Sequence, residues 1–194
     1  MLREKLSNYN LILASGSPRR QHLFKELDIP FTIDIRAVEE VYPKHLKGAQ
    51  ITDYLADLKS KSFKNLQAKD LLITSDTIVW FEEKAIGKPK NKKDAFDMLK
   101  KMSGKEHDVF TSVSIKGKSI QKIFNDKTMV LFEEFTNEEI NYYIDKCSPY
   151  DKAGSYGIQD WIGLIGVKKI TGSYFNVMGL PVHKLYKELL KIAQ

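Results

Sequence analysis

Leu11-Ile12-Leu13-Ala14-Ser15-Gly16-Ser17-Pro18-Arg19-Arg20 is the stretch whose reading decides the fold. The apolar run at 11–14 has the character of a buried strand, and it stops at small residues. Ser17 is a good N-cap and Pro18 suits the first helical position, so a helix begins at 18. Strand, small turn and helix N-terminus, in that order, aim backbone N–H groups and the positive end of a helix dipole at a phosphate. Of 31 basic residues only Arg3, Arg19, Arg20 and Arg36 are arginine, and two of these are adjacent here. A guanidinium fork matches phosphate oxygens in a way that a lysine ammonium does not. The same ten residues also read as an ordinary strand-to-helix connection with a solvated arginine pair.

Outward from that stretch, helices and strands intermix. The helix from 18 runs to 28 with Leu23, Phe24 and Leu27 on one face, and Phe31–Ile35 alternates as a strand. Residues 37–49 read as a loop, and 50–67 as a helix carried by Ile51, Tyr54, Leu55, Leu58 and Phe63. Leu71–Trp80 is strand-like but interrupted in its middle by Thr74-Ser75-Asp76-Thr77. Gly87-Lys88-Pro89 is a turn, and the helix at 92–103 ends at Gly104. Two alternating runs, 107–116 and 119–133, meet at Lys116-Gly117-Lys118 as a β-hairpin. Thr136 and Glu139 form a capping box for a helix over 137–146. Residues 151–179 are paced by glycine, and an amphipathic helix covers 181–192. This pattern predicts an α/β protein with a mixed sheet, not a strict βαβ alternation.

The chain has 194 residues, 42% of them hydrophobic, enough for a substantial core in one domain over 1–194, either compact or two-lobed. Cys147 is the only cysteine, so no intrachain disulfide forms, and it reads as a buried small hydrophobe. The segment MLREKLSNYN is too polar for a secretory signal, and no apolar run approaches the ~20 residues of a membrane span. A cytoplasmic protein with no membrane partner is expected. The net charge of +6 comes from lysines dispersed along the chain, with no basic stripe interleaved with aromatics, so no nucleic-acid partner is expected.

Asp76 is the sharpest chemical signal. It sits between Leu71-Leu72-Ile73 and Ile78-Val79-Trp80, where a carboxylate is costly unless paired or metal-bound. It reads as a general base or a ligand of a divalent cation, or else as a structural Asp bonded to backbone at a bulge. In Gly87-Lys88-Pro89 the flanking residues would hold the Lys88 ammonium in a fixed place for a phosphate, although most such triplets are exposed turns. The loop Asp151–Gln159 pairs an aromatic, Tyr156, with an amide, Gln159, a combination that stacks a base and reads its polar edge. It is not G-x-G-x-x-G. Gly172–Pro181 reads either as a packed turn positioning the last helix or as a ligand contact. His22, His45, His107 and His183 lack zinc-ligand spacing, and there is no P-loop and no G-x-S-x-G.

Five segments taken together resemble the Maf family of nucleoside triphosphate pyrophosphatases. They are Ser15-x-Ser17-Pro18-Arg19-Arg20, Ser75-Asp76-Thr77, Gly87-Lys88-Pro89, Asp151-Lys152-Ala153-Gly154-x-Tyr156-Gly157-Ile158-Gln159, and Gly172-Ser173-Tyr174-x-x-Val177-x-Gly179-Leu180-Pro181. The resemblance implies an elongated mixed sheet flanked by helices, in two lobes with a central cleft, as in the related inosine triphosphatase fold. It implies hydrolysis of the α–β phosphoanhydride of a nucleoside triphosphate with Mg²⁺ or Mn²⁺, and it suggests a homodimer. The two glycine-rich segments look like the branch acting on dTTP and UTP, the sister branch taking 7-methyl-GTP. On this resemblance Glu40, beside Glu39 where the family often has Asp, matches a loop glutamate. Lys59, within Leu55-Ala56-x-x-Lys59-Ser60, matches a helix lysine, with Lys61 and Lys64 close by. The implied roles are metal binding for Glu40 and Asp76, and catalysis for Asp76, Lys88, Arg20 and Lys59. Substrate binding falls to Ser15, Ser17, Arg19, Arg20, Thr77, Tyr156 and Gln159. The rival reading from another class is a nucleotide-binding regulator of cell division without turnover.

Overall fold

The interruption expected at Thr74-Ser75-Asp76-Thr77 does not occur. In the computed structural model, which describes residues 1–193, Asp70–Phe81 forms one unbroken strand, β3. The reason is that its polar side chains are satisfied without breaking the ladder. Thr74 Oγ1 donates to the Ala56 carbonyl at 2.6 Å and Ser75 Oγ to the Gly179 carbonyl at 3.3 Å. Asp76 is ion-paired.

The other elements are α1 (Leu2–Lys5), β1 (Asn10–Leu13), α2 (Pro18–Lys25), β2 (Thr32–Ile33), α3 (Ala49–Lys61), β4 (Lys84–Ile86) and α4 (Lys92–Met102). They continue with β5 (Glu106–Lys116), β6 (Gln121–Phe132), α5 (Asn137–Cys147), α6 (Trp161–Gly166), β7 (Val167–Thr171), α7 (Tyr174–Val177) and α8 (Val182–Ile192). The strands pair in the order β2-β1-β3-β5-β6-β7, with β4 on β3. β1 is parallel to both β2 and β3, while β3–β4 and β6–β7 are antiparallel, so the sheet is mixed as expected. No described helix is long and apolar enough to cross a membrane. Elements 161–166 and 167–171 were hidden in sequence by the glycine-paced composition. The helix expected to reach 67 stops at Lys61 because Ser60 and Ser62 turn their hydroxyls onto the carbonyls of Asp57 and Lys59, both at 2.8 Å. The strand expected over 31–35 shrinks to Thr32–Ile33, both exposed, at the sheet edge.

The chain divides into two compact units. The first comprises Met1–Asp76, Thr111–Asp126 and the segment from Gly179 through α8. Its buried residues include Leu13, Phe24, Leu71, Leu72 and Ile73, and α1 packs on α8. The second comprises Thr77–Phe110 and Lys127–Met178. Its core gathers Leu99, Val130, Phe132, Ile140, Tyr143 and Tyr156. The capping box predicted for α5 is formed, with Glu139 N–H donating to Thr136 Oγ1 and Thr136 N–H to Glu139 Oε2. Asn176 Nδ2 donates to the Val109 carbonyl at 3.1 Å and to Thr128 Oγ1 at 3.0 Å, tying the Gly172–Met178 segment to β5 and β6.

His107 is 3% exposed in this second core, against Phe132, with Nε2 2.8 Å from the Tyr156 hydroxyl. Burial pulls its pKa down from 6.5 to about 4. The unfolded chain therefore takes a proton on His107 that the native chain refuses. The stabilisation is complete above pH 6.5 and is lost as pH falls toward 4. Replacing His107 by Phe should remove up to about 3 kcal/mol of the loss of stability between those limits, read from urea melts across that pH range. Glu82 and Glu83 form a two-residue hairpin loop between paired Phe81 and Lys84, at φ 48° and 58°. Both are in the left-handed region that Asn-Gly adopts at little cost. Substituting E82N and E83G together should stabilise the protein by about 1 kcal/mol, despite the loss of the exposed Glu82–Lys101 pair.

Candidate active site

The Ser15–Arg20 stretch folds as its residues dictate. Ala14 N–H continues the ladder to the Ile73 carbonyl at 2.9 Å, and Ser17 then caps α2, its Oγ 3.5 Å from Arg20 N with Pro18 in the first turn. Ser15 is buried, and its Oγ accepts from Ser17 N–H at 3.3 Å while its carbonyl accepts from Gln21 Nε2 at 2.9 Å. The turn is thus held from within, and α2 directs its N-terminal N–H groups over it. Arg19 and Arg20 occupy the first turn of α2. Arg20 Nε donates to the Gly179 carbonyl at 2.7 Å, which fixes the plane of its guanidinium. Ser75 Oγ reaches that same carbonyl, so one backbone oxygen aligns both the arginine and the strand residue next to Asp76. Gly179 sits at φ 105°, which a side chain would strain. In sequence Gly172–Pro181 reads either as a packed turn or as a ligand contact, and nothing in the pattern shows which carbonyl a distant arginine will use.

Asp76 is 5% exposed. Lys59 Nζ lies 2.6 Å from its Oδ1 and 2.9 Å from Glu40 Oε1, so a single ammonium bridges the two carboxylates. Burial pushes the Asp76 carboxyl above the usual range; Lys59 and Arg20 pull it back, and Glu40 raises it again. Burial also lowers the Arg20 guanidinium from its ordinary value, with Asp76 and Glu40 opposing. The structure therefore brings Arg20, Glu40, Lys59 and Asp76 into one electrostatic cluster in the first unit. It also separates Lys59 from its neighbour, since Lys61 turns away to pair with Asp57 at 2.6 Å.

Among the described residues no three His, Cys, Asp or Glu side chains form a cage for a metal ion. Glu40 and Asp76 converge on the Lys59 ammonium, and two carboxylates are nevertheless a donor set that suits Mg²⁺ or Mn²⁺. These are hard cations, held by one or two carboxylates and completed by substrate phosphates and water. Glu40 and Asp76 fit that role.

The second unit carries the other candidates. Thr77 follows Asp76 on β3 and is half-buried. Lys88 is exposed on its turn, and the turn is pinned where Gly154 N–H donates to the Gly87 carbonyl at 3.0 Å. Tyr156 corrects the expectation that it stacks a base. Its ring is buried edge-on against Phe132 and His107, and its hydroxyl is bound to His107. The glycine-paced pattern shows an aromatic in the loop but not that the core claims it. Gln159 is half-buried, with Nε2 donating to Asp160 Oδ1 at 2.9 Å. Asp160, which the sequence did not single out, also accepts from the Tyr143 hydroxyl at 2.9 Å.

Comparison with known proteins bears on this constellation. The chain is 56% identical over 190 residues to a dTTP/UTP pyrophosphatase of Christiangramia forsetii, covering 97% of both chains. It is 53% identical to one of Flavobacterium johnsoniae, covering 97% of this chain and 98% of that one. It is 47% identical to one of Bacteroides thetaiotaomicron, with 96% and 98% covered. Among solved structures the Staphylococcus aureus Ham1 protein shares the fold, with a TM-score of 0.55 at 16% identity over 94% of this chain and 99% of that one. The profile described as Maf-like protein matches residues 10–192, nearly the whole length, and the chain belongs to that family.

Proposed function

We infer that this protein is a nucleoside triphosphate pyrophosphatase that cleaves dTTP and UTP to the monophosphate and pyrophosphate. The observation that carries the reading is Asp76: a carboxylate buried within a strand, kept near an ammonium and a guanidinium. A protein that only binds nucleotide has little need of it. The activity in the names of relatives up to 56% identical supports the same reading.

In this mechanism the turn at Ser15 and Ser17, the α2 N-terminus and the Arg19 and Arg20 forks hold the triphosphate. Thr77 adds a polar contact. Asp76 takes a proton from water as its oxygen attacks the α-phosphorus, and the bond from that phosphorus to the β-phosphate oxygen breaks. Lys59 and Lys88 stabilise the negative charge that gathers on the departing pyrophosphate. A carboxyl raised by burial is a stronger base than an exposed aspartate, which favours the proton transfer near neutral pH. Glu40 and Asp76 would hold Mg²⁺ or Mn²⁺, which when bound supplies charge neutralisation of the phosphates and a more acidic water. Gln159 contacts the base edge.

Two measurements test this. Asp76→Asn keeps the shape of the site but not the base. Its kcat for pyrophosphate release from UTP with Mn²⁺ should fall by about 10²–10⁴-fold while nucleotide still binds; near-normal turnover would remove Asp76 from the chemistry. Lys59→Met leaves two adjacent carboxylates without their shared cation. It should destabilise the protein by about 2 kcal/mol at pH 7. The penalty should shrink on acidification, because the unpaired Asp76 then takes its proton at a pH above the unfolded value. Adding Asp76→Asn should recover most of the loss in a urea melt at pH 7.

A further inference from the structure

Gln159 has one buried amide atom with no hydrogen-bond partner, its carbonyl Oε1. Its Nε2 is spoken for by Asp160 Oδ1 at 2.9 Å. Carboxylate oxygens only accept, so the amide has to turn its NH₂ toward Asp160. Asp160 cannot be swung aside to change this. Its Oδ2 accepts from the Tyr143 hydroxyl at 2.9 Å, with Lys152 Nζ 3.7 Å away. The Tyr143 hydroxyl in turn accepts the Gly157 N–H at 3.1 Å, and the tyrosine is fully buried. Burial and Asp160 both raise the Tyr143 pKa, which keeps the phenol a donor. The pair packs directly on backbone, since a Cβ on Gly157 would sit 2.6 Å from both Gln159 Nε2 and Asp160 Oδ2. An acceptor left unpaired inside such a tied network is an atom kept for a donor that the chain does not supply.

We propose that Asp160 is a positioning residue for base selection: by claiming the Gln159 NH₂ it leaves Gln159 Oε1 to accept the N3–H of uracil or thymine. The inference rests on the pyrimidine triphosphatase reading above. The pairing edge of uracil and thymine offers two carbonyl acceptors and a single donor, N3–H. At the same position cytosine carries a lone pair, which would face the Gln159 oxygen with no hydrogen between them and leave both unpaired.

Asp160→Asn makes a sharp test because the surrounding donors dictate its answer. The Tyr143 hydroxyl still donates, so it takes the new carbonyl, and the new NH₂ then faces Gln159. Gln159 must turn its own carbonyl inward and present its NH₂, which complements cytosine N3. Initial rates of pyrophosphate release are measured for UTP, CTP and N3-methyluridine triphosphate. The unaltered protein should use N3-methyluridine triphosphate at least about tenfold less efficiently than UTP. In Asp160→Asn the UTP-to-CTP ratio of kcat/KM should drop by about tenfold or more. Asp160→Ala, which only frees the amide, should lower the ratio less. A purely structural role would depress both substrates together and leave the ratio unmoved, and that result in either variant would overturn the proposal. Equal use of UTP and its N3-methyl form by the unaltered protein would overturn it too, while the activity reading stands. No turnover of UTP at all would overturn both.

Discussion

A carboxylate within a buried strand is tolerated only if something of opposite charge comes to it, and the first unit is arranged around that requirement. Asp76 draws the Lys59 ammonium to 2.6 Å, and Lys59 carries Glu40 with it at 2.9 Å. α3 must then lie where Lys59 can reach, and the Thr74–Ala56 hydrogen bond holds its backbone against the same strand. The loop bearing Glu40 has no regular structure of its own and is tied down by the ion pair at that point. Replacing a buried ion pair by well-packed apolar residues is often neutral for stability, so stability alone does not account for the trio.

The parts of this arrangement that were legible in sequence are those written in local pattern. Ser17 and Pro18 announce the start of α2, Thr136 and Glu139 that of α5, and Asp76 declares itself by breaking an apolar run. What the same pattern misjudged was the consequence. Four polar residues in a strand read as an interruption because local propensity cannot see that a helix carbonyl, a distant glycine carbonyl and an ammonium are waiting for them. The choice between Lys59 and Lys61 was likewise open in sequence, where the two are two residues apart. It closes in the fold because positions 57 and 61 share a helix face, and Asp57 takes Lys61.

The glycine-rich segment shows the opposite limit. Its composition hides α6 and β7, and it made Tyr156 look like a ligand-facing ring. A loop carrying an aromatic can turn it either outward or inward, and here His107, Phe132 and the apolar core of the second unit decide the matter. The ring anchors the loop. The orientation of the polar residues just after it, Gln159 and Asp160, depends on a tyrosine sixteen and seventeen positions earlier in the chain that no local reading connects to them.

The sparing use of arginine carries the same lesson about what composition can tell. Arg3 sends one nitrogen to both oxygens of Asp28, at 3.1 and 3.2 Å. Arg36 lies 3.9 Å from the centre of the Phe63 ring while donating to the Ser62 carbonyl at 2.9 Å. Arg20 fixes itself through Nε on Gly179. Only Arg20 is held through Nε, an atom that lysine lacks, so rarity marked guanidinium geometry there and not at Arg3 or Arg36. It did not by itself mark function, because two of these three serve only to fasten surface segments. What separates Arg20 from them is its neighbour. A guanidinium already immobilised by a backbone carbonyl and set in the field of Asp76 needs no reorganisation when a phosphate arrives, and such preorganisation is where charge-stabilising catalysis gets most of its effect.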